Sequence, residues 1–176
     1  MRILPALVLL GVTSIAYSQT AKQPFTITIS TAKPEVKSGD PVYVEGVMTN
    51  ISDHDVDCTR NWSNALDINY GYNVTDEDGQ AVPKIRRKYP EIGEETNISP
   101  CIIKPGETSR ASGGMISILY DFRRPGKYTI QASRPVWGDN NRPGTAGTGD
   151  DNQADVKSNI LTITVVGPEA LPTELK

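Results

Sequence analysis

Leu119-Tyr120-Asp121-Phe122-Arg123-Arg124-Pro125-Gly126-Lys127-Tyr128-Thr129-Ile130-Gln131-Ala132 reads as a turn that feeds a strand. Pro125 presets φ for the turn, and Gly126 accepts a positive φ because it has no Cβ. Beyond the turn the residues alternate. Tyr128, Ile130 and Ala132 share one face, and Lys127, Thr129 and Gln131 share the other. That is the period of a half-buried strand.

The same period recurs along the chain. Phe25, Ile27 and Ile29 alternate with Thr26, Thr28 and Ser30. Lys37-Ser38-Gly39-Asp40-Pro41 is a turn, and Val42–Ile51 is strand-rich, with Gly46 as the bulge position. Leu66, Ile68, Tyr70, Tyr72 and Val74 mark one face of a third strand. Thr75–Gly79 carries an Asp-Gly hairpin signal. Gln80–Ile85 then returns as a short strand, at an edge because Pro83 lacks a ladder donor. Ser109–Leu119 and the alternating Leu161, Ile163 and Val165 supply two more.

The polar stretches 52–64, 86–106 and 135–157 read as connections between these strands. No segment shows a capped helical period. The expectation is an all-β chain, an antiparallel immunoglobulin-like β-sandwich of about seven strands. Tyr128, just inside its strand, resembles the tyrosine corner of such sandwiches, whose hydroxyl ties back to upstream backbone.

The first residues read as a secretory signal. Arg2 is the lone charge, Ile3–Ala16 is mostly apolar, and Ala16-Tyr17-Ser18 supplies small residues at the −3 and −1 positions. The expected organisation is a signal peptide over 1–18, a sandwich domain over 19–166 and a flexible tail over 167–176. Cleavage would leave 158 residues with a net charge of −4, against −3 for the whole chain. This mild acidity argues against nucleic acid as a partner. The apolar run, interrupted by Pro5, falls short of the ~20 residues of a span, so no stable membrane insertion is expected after cleavage. The reading is a secreted or periplasmic protein.

Cys58 and Cys101 are the two cysteines. Behind a secretory signal an even count predicts a disulfide between them. In a sandwich with this strand order, the stretches 52–64, 86–106 and 135–157 gather at one end. That end would hold Trp62, Trp137, Asp139, Asn140 and Asn141 as candidate binding residues for a protein or carbohydrate partner. The competing reading is that both tryptophans fold down as cover for the core.

Asp53-His54-Asp55-Val56-Asp57 offers alternate carboxylates and one imidazole, but matches no metal-loop signature, and no metal or other cofactor is expected. There is one His and no Gly-x-Ser-x-Gly nucleophile motif, so an enzyme is not expected. Lys84-Ile85-Arg86-Arg87-Lys88 reads as a solvated basic run. Asn50, Asn61, Asn73 and Asn97 each open an Asn-x-Ser/Thr sequon.

Three segments carry a family resemblance: Val74–Val82, Lys104–Thr108 and Arg124–Ala132. Together they resemble secreted bacterial immunoglobulin-like modules. Their order is also similar to the intracellular proteinase inhibitor family of bacilli, over roughly residues 25–134. The resemblance implies a sandwich fold and, through the second family, an inhibitor presenting an exposed loop. No inhibitory residue is carried over. The leading expectation is an exported non-catalytic binding module. The alternative is a protease inhibitor, and a hydrolase or metal-binding protein stands third.

Overall fold

The computed structural model describes residues 23–63, 66–67, 69–85, 97–136 and 155–168. The expected signal peptide and most of the tail lie outside them. Twelve strands form: β1 Phe25–Ser30, β2 Glu35–Lys37, β3 Tyr43–Asn50, β4 Val56–Asp57, β5 Arg60–Ser63, β6 Leu66–Asp67, β7 Gly71–Thr75, β8 Asn97–Ser99, β9 Ile102–Ile103, β10 Thr108–Met115, β11 Gly126–Pro135 and β12 Asp155–Val166. One 3-10 turn covers Ile116–Ile118, and the described residues contain no α-helix.

Two sheets carry the fold. One is ordered β1-β3-β10 and the other β2-β12-β11-β7. Their main pairings are antiparallel, while β2 runs parallel to β12. Phe25, Ile27 and Ile29 of β1 are buried, and the intervening Thr26, Thr28 and Ser30 are exposed. Val44 and Met48 of β3, and Tyr128, Ile130 and Ala132 of β11, meet them in one core. The class is therefore the expected all-β immunoglobulin-like sandwich.

The turn before β11 behaves as its residues require. Gly126 has φ 148, and the Tyr128 hydroxyl donates to the Arg124 carbonyl at 2.7 Å. The Asp-Gly hairpin also forms. Gly79 has φ 75 and donates to the Asp76 carbonyl at 3.0 Å.

Other expectations need correction. The strand count is twelve among the described residues, not about seven. The polar stretch 52–64 holds β4 and β5, and 86–106 holds β8 and β9. Gln80–Ile85 makes only isolated bridges, Ala81 to Thr75 and Lys84 to Tyr120, because Pro83 interrupts the ladder. The third strand splits into β6 and β7 at a turn where Tyr70 donates to the Asp67 carbonyl at 3.2 Å. The irregularity expected at Gly46 lies across from it, on β10, between Ala111 and Gly114.

A bulge in β12 joins the sheets. Register steps between Gln131 and Ser133, leaving Ser158 and Asn159 opposite Ala132. The Ser158 hydroxyl accepts the Ala132 N–H at 2.9 Å. The Asn159 side chain accepts the Ile29 N–H at 2.7 Å and donates to the Ile29 carbonyl at 3.0 Å. One amide thus stands in for a missing strand neighbour of β1.

Candidate functional site

The end of the sandwich bearing the cysteines is a covalently held ribbon. Val56 and Asp57 pair with Ile103 and Ile102. Arg60, Asn61 and Trp62 pair with Ser99, Ile98 and Asn97. Both sets share a single register. Cys58 and Cys101 fall opposite one another within it, their Cα atoms 4.9 Å apart, and form the expected disulfide. The Cys58 N–H donates across to the Cys101 carbonyl at 2.9 Å.

That bond sets the direction of every neighbouring backbone group. Successive residues of a strand point their N–H and C=O to opposite sides. Cys58 points across the ribbon, so Thr59 points away from it, toward the body of the domain. There the Thr59 carbonyl accepts Asn69 Nδ2 at 2.8 Å and Arg134 Nη2 at 3.2 Å. On the facing strand, Pro100 turns its nitrogen to the outer edge, where the missing donor removes nothing from the ladder.

Arg134 is the bolt of this end. It is 3% exposed and lies near the end of β11, where the connection to β12 begins. Its guanidinium carbon sits 5.4 Å from the centroid of the Tyr70 ring. Burial pushes the Tyr70 phenol above its ordinary value, and Arg134 works against that shift. Asp67, 2% exposed, accepts backbone N–H bonds from Asn61 at 3.2 Å and Asn69 at 3.1 Å. Asn50 closes the base. Its Nδ2 donates to the carbonyls of His54 (2.7 Å) and Ile103 (2.8 Å), and its Oδ1 accepts from Ser52.

One strand of the ribbon turns an apolar row outward, facing Asp57 and Asn61 of the other strand. Ile98 and Ile102 are 59% and 61% exposed, and Pro100 between them is exposed too. Residues two apart share a face, so the three form one strip.

The candidates from the sequence fall as follows. Cys58 and Cys101 are joined. The backbone of Trp62 lies in β5, opposite Asp67 and Asn97, and its side chain lies outside the described residues. Trp137, Asp139, Asn140 and Asn141 also lie outside them, as do Arg86–Lys88. Arg134 of β11 reaches the ribbon through the Asp57 and Thr59 carbonyls. Of the connection expected over 135–157, Pro135 belongs to β11 and Asp155–Lys157 to β12, and 137–154 lie outside the described residues.

His54 is exposed, with Nδ1 3.0 Å from Asp53 Oδ1, and Asp57 Oδ1 accepts the Thr59 N–H at 2.6 Å. Among the described residues no group of three His, Cys, Asp or Glu side chains is placed to hold a metal ion. The sequons separate: Asn73 and Asn97 are exposed, Asn61 is half-buried, and Asn50 is wholly buried in its hydrogen bonds.

The sequence pattern does not mark Asp67 or the isoleucine strip, and it marks Asn50 only as a sequon. Arg134 had a readable signal, since it continues the inward phase of Tyr128, Ile130 and Ala132. Fold and site together define an all-β sandwich with a disulfide-braced ribbon at one end, one strand of which carries exposed apolar residues. No protein-family model matches the chain, and no curated protein matches it. No helix among the described residues is long and apolar enough to cross a membrane.

Proposed function

We propose that the chain is an exported, non-catalytic binding module that captures a protein through its disulfide-braced end. The observation that carries this reading is the Ile98–Pro100–Ile102 strip, held out on a short ribbon that the cystine keeps in register. Exposed apolar side chains on a rigid frame bind at little ordering cost. The disulfide supports an oxidising compartment, in keeping with the secretory signal read in residues 1–18.

The experiment is capture from the envelope and culture fluid of the source organism, using wild type and an Ile98→Ala/Ile102→Ala variant. The expected result is a partner retained by the first and lost by the second, with matching unfolding midpoints. Identical capture by both, or an unfolding free energy in urea that falls by several kcal/mol, removes the strip as the binding surface.

A protease inhibitor is the second reading. It is favoured by the extended, exposed run Asn97–Ile102 beside a disulfide. Stoichiometric inhibition of trypsin, chymotrypsin or subtilisin that disappears in the same variant would select it.

A further inference from the structure

At the opposite side of the molecule, β1 leaves its sheet at Ser30 and the chain crosses to form β2 on the other. The crossing opens a groove of about 880 Å³ between β2 and β3. Glu35, Val36 and Lys37 line one part of it, and Tyr43, Val44 and Met115 line another. Tyr43 is 58% exposed.

β2 is the last strand of its sheet among the described residues. Its bonds to β12 use the even positions: Pro34 accepts from Thr164 at 2.8 Å, and Ser38 donates to Val166 at 2.9 Å. Alternation therefore turns the backbone groups of Glu35 and Lys37 outward, along the open edge; the Lys37 carbonyl there also accepts the Asp40 N–H at 2.9 Å, so a strand partner would share it as the oxygen's second donor. Pro34, which has no N–H, faces inward and leaves that edge intact. An edge of this kind invites another strand unless its charges repel one.

The charges decide which strand fits. Glu35 and Lys37 flank Val36, and all three read as Glu-Val-Lys. The antiparallel complement of that pattern, with opposite charges face to face, is again Glu-x-Lys. The edge is self-complementary about a two-fold axis through Val36. Lys33 would then lie opposite Gly39, where it meets no like charge.

We propose that β2 is a homodimer edge, on which a second copy of this chain adds its own β2 antiparallel. Glu35 of one copy faces Lys37 of the partner subunit, twice by symmetry, and the four-stranded sheet continues across the axis. Such an isologous contact closes at two copies and leaves no growing edge. This inference is independent of the braced end.

The test is sedimentation equilibrium of the oxidised protein from micromolar to millimolar concentration, with charge variants at these exposed positions. Wild type should move from monomer toward dimer. Lys37→Glu alone, or Glu35→Lys alone, should weaken self-association about tenfold, because two attractive cross-strand pairs become repulsive. Mixing the two single variants should restore a dimer containing one copy of each. The double variant Glu35→Lys/Lys37→Glu should self-associate as wild type does. A monomer throughout the range overturns the proposal and leaves the groove to some other extended segment. A dimer insensitive to these substitutions overturns it as well, since the contact then lies elsewhere.

Discussion

Replacing Tyr128 by Phe isolates one bond. The hydroxyl donates to the Arg124 carbonyl at 2.7 Å, and the residue is 4% exposed. The ring itself stays in place, edge-on to Phe122 with centroids 5.1 Å apart. Arg124 is exposed, so its carbonyl regains water when the hydroxyl goes. The loss is therefore the net value of one hydrogen bond, about 1 kcal/mol, without a penalty for a stranded acceptor. Urea unfolding at neutral pH measures it, with Lys127→Ala as the exposed control. Thr129, on the opposite face, cannot serve as that control, because its hydroxyl lies 2.6 Å from that of Thr75. A second readout comes from alkali. Burial pushes the Tyr128 phenol above its ordinary 10.0. A raised folded value means the stabilisation is full below 10.0 and is lost as pH rises through the folded value. Tyr128→Phe should remove part of the wild-type decline in that range. Equal urea midpoints for Tyr128→Phe and wild type would refute the corner.

Replacing both cysteines by alanine should cost up to about 4 kcal/mol on loop-closure grounds, with hydrogen exchange rising first at Val56 and Ile103. Asn50→Ala removes the donors to the His54 and Ile103 carbonyls, the first of which keeps the Ser52 hydroxyl at 2.9 Å, and should cost about 1–2 kcal/mol by denaturant unfolding, whereas Asn73→Ala, on an exposed site, should cost under about 0.5 kcal/mol. Hydrogen bonds from the Arg123 side chain hold the Asp121 carboxyl below its ordinary 3.8. Its contribution is thus present above 3.8 and lost as pH falls through the folded value. The pair is partly solvated, so Asp121→Asn should flatten the acid limb of the stability curve by less than about 1 kcal/mol.

Local rules account for the parts of this fold that were legible in sequence. β1 shows strict alternation, the Asp-Gly hairpin and the Pro-Gly corner are set by a few adjacent residues, and the cysteine pairing has a single solution. The missed strands fail those rules for a physical reason. β4, β5, β8 and β9 are two to four residues each, in stretches rich in Asp, Asn and Ser. Too few apolar positions repeat for a period to emerge. Their pairing is secured from outside the segments, by the cystine, by Arg134 and by Asn50. The β12 bulge has the same character. It shifts the buried phase between Ser158 and Leu161, so only the second half of the strand alternates as read.

The braced end also bears on why a disulfide is found where it is. The core is continuous through both main sheets and reaches Val56, Cys58 and Ile103. Its strands are eight to twelve residues long in β3, β10, β11 and β12, and they need no cross-link. The ribbon's ladder is interrupted where Thr59 faces Pro100, and two of its isoleucines face water rather than the core. Left to those contacts, it would open more readily than the sheets beneath it. Loop closure worth about 4 kcal/mol acts on this segment and keeps Ile98, Pro100 and Ile102 in one line. A strip that served only to cover the core would be stabilised by burial and would not be exposed. Covalent reinforcement of an exposed apolar surface supports a preorganised contact, with partner loss in the Ile98→Ala/Ile102→Ala variant as its measure.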